Sequence, residues 1–221
     1  MVKKNIHVFD LDRTITKIDT FRLFILYYLY KNPRKFTSYL RFLLLIPLFI
    51  LKLREGRWFK EKFLSICLKN DSYYTIDNFS NDFSNLITKY FVNDKVKRRI
   101  DQLLKKKENE VLIISASFHV YVAKIGSAFK IKPKNVLGTK IDWREKKVSG
   151  KINGDNLIGK HKVSSYQNWL NLSSGFKKNK LYFYSDHHRD IPFFEISDEK
   201  ILVNPTKKLR KYYDESHNLN L

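Results

Sequence analysis

Two aspartates, Asp10 and Asp12, close an apolar run over residues 6–9, and Thr14 follows at the same two-residue spacing. Carboxylates at the end of a buried strand are costly unless a cation, a hydrogen-bond network or a reaction uses them. Such a pair can hold a hard metal ion, attack an electrophile or pass protons. The plain structural alternative is a strand that ends in a turn capped by Asp and Thr. Three later stretches have the composition of a phosphate or metal site. Ser115-Ala116-Ser117 follows the apolar run 111–114, and small residues with a hydroxyl ahead of a helix make either a phosphate cradle or an ordinary helix cap. Gly159-Lys160-His161-Lys162-Val163 offers a lysine, Lys160 or Lys162, that can neutralise phosphate oxygens. Tyr184-Ser185-Asp186-His187-His188-Arg189-Asp190 offers two acids four apart, one to ligate a metal and one to orient it or pair with a lysine. The adjacent histidines are expected to diverge, and the nearby acids suit a hard cation better than zinc.

The elements needed to hold these residues are legible as period and composition. Residues 6–9 read as a buried strand, and ligands in open α/β sheets gather at the carboxyl ends of strands. The run Val111-Leu112-Ile113-Ile114 is β-branched and continuous, as in a buried parallel strand. A helix is predicted over 118–129, a strand and hairpin over 136–142 and 147–151, and a helix from Gly159 to about residue 170. Short strands are predicted at 181–184 and 201–203, with helix at 191–196 between them. Strands alternating with helices indicate an α/β fold with a parallel sheet. Residues 17–93 differ: they are aromatic-rich and glycine-poor, with apolar residues at helical spacing (Phe21, Phe24, Ile25, Tyr28; Phe59, Phe63, Ile66; Phe79, Phe83, Leu86, Ile87). Four or so helices are predicted there and no strands.

The chain of 221 residues, 43% hydrophobic, can bury a full core as one domain or one domain with an insertion. A single cysteine, Cys67, excludes an intrachain disulfide framework and fits a reducing compartment. Met1-Val2-Lys3-Lys4 runs straight into the first strand without a signal-peptide pattern, and a cytoplasmic location is expected. The formal net charge of +21 implies anionic partners, either phosphorylated substrate, acidic membrane surface or nucleic acid, or else a lysine-rich solvated surface. No zinc-finger spacing, RNP-like signature or basic recognition helix supports nucleic acid.

Residues 42–51 (FLLLIPLFIL) form a ten-residue apolar block flanked by Arg41 and Lys52. A membrane span needs about 20 residues, and Pro47 disfavours one straight helix. Two readings follow. The block is either a buried helix or an interfacial one, since Arg22, Lys31, Arg34, Lys35, Arg41, Lys52, Arg54 and Arg57 surround it, and each cation near an anionic bilayer adds roughly 1 kcal/mol.

Taken in order, the four stretches resemble the motifs of the haloacid dehalogenase (HAD) superfamily, in the branch with phosphoserine phosphatase. The resemblance covers essentially the whole chain: Asp10-Leu11-Asp12-Arg13-Thr14 matches the first motif, Ser115 the second, Lys162 the third, and Asp186 with Asp190 the fourth. Lys162 is preferred to Lys160 because the branch's pattern is glycine, two residues, then Lys-Val. Ser185 stands where the branch often has glycine, and Arg13 is a variant position. Asp19-Thr20-Phe21, the apolar block and Gly56-Arg57 further resemble enzymes similar to phosphatidylglycerophosphatase C. The resemblance implies a Rossmann-like core from 1–17 and 94–221 with a helical cap over 18–93. It implies a Mg²⁺-dependent phosphomonoesterase working through an aspartyl-phosphate on Asp10, with Asp12 as general acid and base. Asp10, the Asp12 carbonyl and Asp186 would hold the metal; Thr14, Ser115, Ala116 and Lys162 would bind phosphate; Asp190 would anchor Lys162 or a metal-bound water. The substrate implied is a phospholipid-type phosphate such as phosphatidylglycerol phosphate, or a soluble ester such as phosphoserine. A non-catalytic protein binding anionic surfaces is the third reading.

Overall fold

The computed structural model describes residues 2–51, 55–173 and 175–213. Strands β1 (Val2–Phe9), β2 (Asn109–Phe118), β3 (Val136–Arg144), β4 (Lys147–Asn153), β5 (Phe176–Ser185) and β6 (Glu199–Leu202) form one sheet in the order β4-β3-β2-β1-β5-β6. All neighbours are parallel except β3 and β4, which form the predicted hairpin. The chain is therefore α/β, with β1 near the middle of a mostly parallel sheet.

Continuous apolar runs are required because the central strands are covered on both faces. Ile6, Val8, Leu112 and Ile114 point to one side, against Tyr166 and Trp169 of α8 (Lys160–Asn171), Phe193 and Phe194 of α9 (Ile191–Ile196), and Leu209 of α10 (Lys207–Tyr212). Phe9, Val111 and Ile113 point to the other, against α6 (Asp94–Leu104) and α7 (His119–Ala128). Burying one such side chain contributes roughly 1.5–3 kcal/mol, so a one-residue register slip would be heavily penalised.

Between β1 and α6 lie α1 (Thr20–Lys31), α2 (Phe36–Leu43), α3 (Ile46–Ile50), α4 (Gly56–Phe63) and α5 (Tyr73–Tyr90). A wider turn, Leu64–Leu68, extends α4. Asp19 caps α1 by accepting from the Arg22 N–H, and Ser72 caps α5 through Thr75 N–H. The apolar positions singled out by helical spacing converge: Phe24 packs edge-on to Phe79 and Phe83 and stacks on Tyr121 of α7 at 4.8 Å between centroids. One hydrophobic cluster thus runs from the helical segment into the sheet. The segment leaves and returns at one place, where Lys17 N–H donates to the Phe91 carbonyl (2.7 Å) and Asn93 N–H to that of Ile15 (2.8 Å).

The block 42–51 is neither one buried helix nor one continuous amphipathic one. It breaks at Leu44 and Leu45 between α2 and α3, with Pro47 in the first turn of α3, where a missing N–H costs nothing. Phe42 is buried and Leu43 and Ile46 pack on the core, whereas Leu44, Ile50 and Leu51 are exposed. Among its predicted basic flanks, Arg22, Lys31, Arg34, Arg41 and Arg57 are exposed and Lys35 is half-buried; Lys52 and Arg54 lie outside the described residues. Among the described residues, no helix is long and apolar enough to cross a membrane.

Several strand boundaries differ from those predicted; β1, for one, begins at Val2 instead of residue 6. Strand β2 continues through Ser115-Ala116-Ser117 to Phe118, because its pairing with β3 shifts register between Ser115 and Phe118 and the strand bulges instead of ending. Gly138 of β3 crosses that bulge so closely that a Cβ would lie 2.8 Å from the His119 Cα. Strand β5 begins five residues before the predicted Leu181, extended by pairing with Val2-Lys3-Lys4.

Candidate active site

Register assembles the site. Phe9 of β1 is level with Ile113 of β2 and Tyr184 of β5, so the next residues, Asp10, Ser115, Ser185 and Asp186, emerge side by side at the carboxyl edge of the sheet. The Asp10 N–H donates to the Tyr184 carbonyl (2.9 Å), which fixes the departure of the chain from β1. The following turn places Arg13 at φ 58°, a left-handed conformation that costs an L-residue about 1–2 kcal/mol. Arg13 is exposed, and Thr14 and Ile15 beyond it are buried.

Lys162 reaches this edge from the first turn of α8, and Lys160 points to solvent. Gly159, at φ 55° and ψ −123°, admits no ordinary side chain and turns the chain into that helix. The Lys162 ammonium donates to Asp10 Oδ1 and to Asp190 Oδ2, each at 2.7 Å, and all three residues are buried. Asp190 Oδ2 also accepts from Ser185 Oγ (2.7 Å). The serine that replaces glycine before Asp186 thus holds the acid that holds the lysine.

Asp12 belongs to a separate network. Its Oδ1 accepts from Thr20 N–H (2.6 Å) and Thr20 Oγ1 (2.5 Å) at the start of α1, and its Oδ2 accepts from Ser117 Oγ (2.7 Å). Ser115 Oγ accepts from Ser117 N–H (3.0 Å). The Thr14 hydroxyl is buried without a hydrogen-bond partner among the described residues. His187 and His188 do not diverge as expected. Their ring centroids lie 4.2 Å apart, because His187 is extended while His188 opens a 3₁₀ turn, so strand alternation does not apply. His187 Nδ1 accepts from Arg189 N–H (3.1 Å).

The electrostatics are those of acid excess. Burial, with Asp190, Asp12 and Asp186, pushes the Asp10 carboxyl well up, against the opposing pull of Lys162. Burial and Asp19 raise Asp12, opposed by the hydrogen bonds from Thr20 and Ser117. Asp186 is pushed up to about 7, first by burial and then by Asp190. Lys162 moves up despite its burial, because two carboxylates grip it.

One ammonium against four carboxyls leaves room for further positive charge. Among the described residues no three His, Cys, Asp or Glu side chains form a metal cluster. The donor set at hand is two carboxylates, Asp10 and Asp186, with main-chain carbonyls. No hydrogen bond or ion pair from a described residue reaches the buried Asp186 carboxylate. An all-oxygen, net-negative set of this kind suits a small hard dication.

Neither Lys60 nor Asn156 belongs to the four sequence motifs. Lys60, on α4, is 6% exposed and donates to the Ala116 carbonyl and to Asn156 Oδ1 (2.5 Å), above the Phe21 ring. Burial pushes its ammonium down to about 7, with Asp12 and Asp19 opposing. The signal was present: Lys60 lies beside Phe59 and three residues before Phe63, on the apolar face of its helix.

A mostly parallel sheet with helices on both faces and acids, hydroxyls and a lysine at its carboxyl edge defines an α/β protein with a polar site where such folds bind their ligands. The model of the haloacid dehalogenase-like hydrolase family matches residues 7–195, and the chain belongs to that family. It is 23% identical over 224 residues to a histidinol-phosphatase of Neisseria meningitidis, covering 94% of each chain. Among solved structures it is similar to a protein of unknown function from Bordetella pertussis (TM-score 0.83, 20% identity, 96% and 95% covered). It is also similar to a phosphoserine phosphatase captured as a phospho-aspartyl intermediate analogue (TM-score 0.64, 17% identity, 96% and 92% covered).

Proposed function

We propose that this hydrolase is a Mg²⁺-dependent phosphomonoester phosphatase that works through an aspartyl-phosphate on Asp10. The observation that carries the reading is the buried Asp10 carboxylate, held by Lys162 at the end of a central strand among three further acids. Asp10 attacks phosphorus and the ester oxygen departs; water then attacks the acyl phosphate and releases inorganic phosphate. Asp12 donates the proton to the leaving alkoxide and later takes one from water, a role suited to a carboxyl raised by burial. Thr20 and Ser117 hold it for both steps. Thr14, Ser115 and the Ala116 amide take phosphoryl oxygens, and Lys162 balances their charge with Asp190 as its anchor. Asp10, the Asp12 carbonyl and Asp186 would hold Mg²⁺, which supplies the positive charge that lets an anionic nucleophile approach an anionic ester.

Residues 18–93 act as the cap that selects the alcohol. The favoured substrate is a small soluble phosphomonoester, in keeping with the amino-bearing esters named for the similar proteins and with a cap interior closed by Phe21, Phe24, Phe59 and Phe63. A second reading has one observation behind it: Phe36, Leu40, Leu44, Ile50 and Leu51 are exposed beside Arg34 and Arg41, as a peripheral contact at the inner membrane face acting on a phospholipid-type phosphate would need. A screen of soluble and lipid phosphates, with and without Mg²⁺ and including p-nitrophenyl phosphate, tests both. Soluble esters are expected to turn over only with Mg²⁺. Turnover confined to lipid phosphate, with flotation on anionic vesicles, would favour the second reading, and a flat profile would leave an anion-binding protein without catalysis.

A further inference from the structure

Lys60 is a buried cation whose hydrogen-bond acceptors are neutral: no carboxylate lies within ion-pair distance among the described residues. Such a group is expensive, and stability alone gives no reason to keep it. Its position supplies one. Lys60 comes from the helical insertion, yet its partner is the main-chain carbonyl of Ala116, inside the β2 bulge. Thr139 Oγ1 donates to the same carbonyl from β3 (2.7 Å), and Asn156 Oδ1, the second acceptor of Lys60, lies 3.3 Å from that hydroxyl.

The Ala116 carbonyl shares a trans peptide unit with the Ser117 N–H, so the two point in opposite directions. Fixing the carbonyl on the insertion side fixes the N–H on the other, where it donates to Ser115 Oγ (3.0 Å). That oxygen accepts, so the Ser115 hydroxyl proton is left to donate elsewhere. An ammonium on the carbonyl also polarises the peptide and strengthens the N–H at its far end.

We propose that Lys60 is a positioning residue for phosphate binding: through the Ala116–Ser117 peptide it sets Ser115 as a hydrogen-bond donor, so the phosphate site is complete only when α4 of the insertion is docked. The proposal rests on the phosphatase reading and adds to it a link between insertion and phosphate that passes through backbone and makes no contact with substrate.

The test uses full-length protein with Mg²⁺, p-nitrophenyl phosphate as substrate and inorganic phosphate as competitive inhibitor. Lys60→Gln is expected to raise both KM and the inhibition constant for phosphate about tenfold, with Lys60→Arg recovering most of the loss. In a Ser115→Ala background, Lys60→Gln is expected to change either constant by less than about twofold, since the hydroxyl it positions is gone. A merely structural lysine would weaken both backgrounds equally. Should Lys60→Gln not fold, Thr139→Val, which removes the other donor to the same carbonyl, takes its place with the same expectations. An active wild type whose variants leave both constants unchanged, or whose effects add fully in the double variant, overturns this proposal alone. A wild type inactive on every ester overturns the phosphatase reading and this proposal with it.

Discussion

A single buried carboxylate and a cluster of four, at opposite edges of the same sheet, are treated in opposite ways. At the amino edge, Glu110 opens β2 and is 4% exposed, yet Lys4 (2.6 Å), Asn135 (2.6 Å) and Lys132 (3.2 Å) all donate to it. Burial alone would raise its carboxyl, but those three donors hold it below the ordinary range. At the carboxyl edge only Asp10 and Asp190 of the four aspartates are ion-paired, both to Lys162, and the carboxyls of Asp10, Asp12 and Asp186 are raised. A buried acid that is fully compensated serves the fold. A group of acids left short of positive charge is destabilising until something binds, which is the signature of a working site.

The sharpest way to break the contrast is Asp10→Asn. Turnover is expected to fall by roughly 10⁴-fold or more, with the fold intact by circular dichroism. Wild-type-like rates in that variant would remove the nucleophile assignment. Next in size is Asp12→Asn, expected to slow both half-reactions by about 10²–10⁴-fold, with hydrolysis of the phosphoenzyme slowed most. Rapid-quench measurement with p-nitrophenyl phosphate, whose leaving group needs little protonation, separates the two; equal slowing of both would count against an acid role.

The remaining two predictions concern stability and have opposite signs. Asp186→Asn in metal-free protein is expected to stabilise at pH 7.5 by about 1–3 kcal/mol while removing activity. The sign follows from a folded pKa of about 7 above the ordinary aspartate value. Between about pH 4 and 7 the folded chain keeps a proton that the unfolded chain has lost, so wild-type stability falls as pH rises through that window, and the advantage of the variant vanishes below it. Thermal melts across pH measure this directly. Glu110→Gln is expected to cost about 1–2 kcal/mol at pH 7 with catalytic constants unchanged. Its contribution, present above the ordinary glutamate value, is lost as pH falls through the lowered folded value, so wild type and variant should converge in acid. Equal melting curves at neutral pH would show Glu110 to be idle.

The same contrast explains what the sequence made legible. Asp10, Lys162 and Asp186 could be placed because each follows an apolar run or a glycine, and such runs mark strand ends and helix starts; Ser115 follows one too, although β2 bulges there and continues. The sheet followed from the alternation of those runs with helical periods. The roles of Glu110 and Lys60 were opaque for the same reason, even though Lys60 sits visibly on an apolar helix face: each is one charge among many, and its meaning depends on partners distant in the chain, Lys4 for one and Ala116 for the other. The break in the 42–51 block was hidden too, since Leu44 and Phe42 read alike as apolar while one is 77% exposed and the other is fully buried. The bulge in β2 came from pairing with β3, which no local pattern encodes.

The central place of β1 bears on the order of folding. Its partners are β2, about a hundred residues on, and β5, nearer the end of the chain, where Phe9 pairs with Tyr184. During synthesis the helices between β1 and β2 are made while both edges of β1 are still bare, and contacts closing loops this long form slowly. Asp10 precedes Asp186 and Asp190 in the chain, so its surroundings are complete only once β5 and the turn after it have been made. A product truncated before β5 would carry Asp10 but neither Asp186 nor Asp190, and an unpaired apolar strand edge in its place.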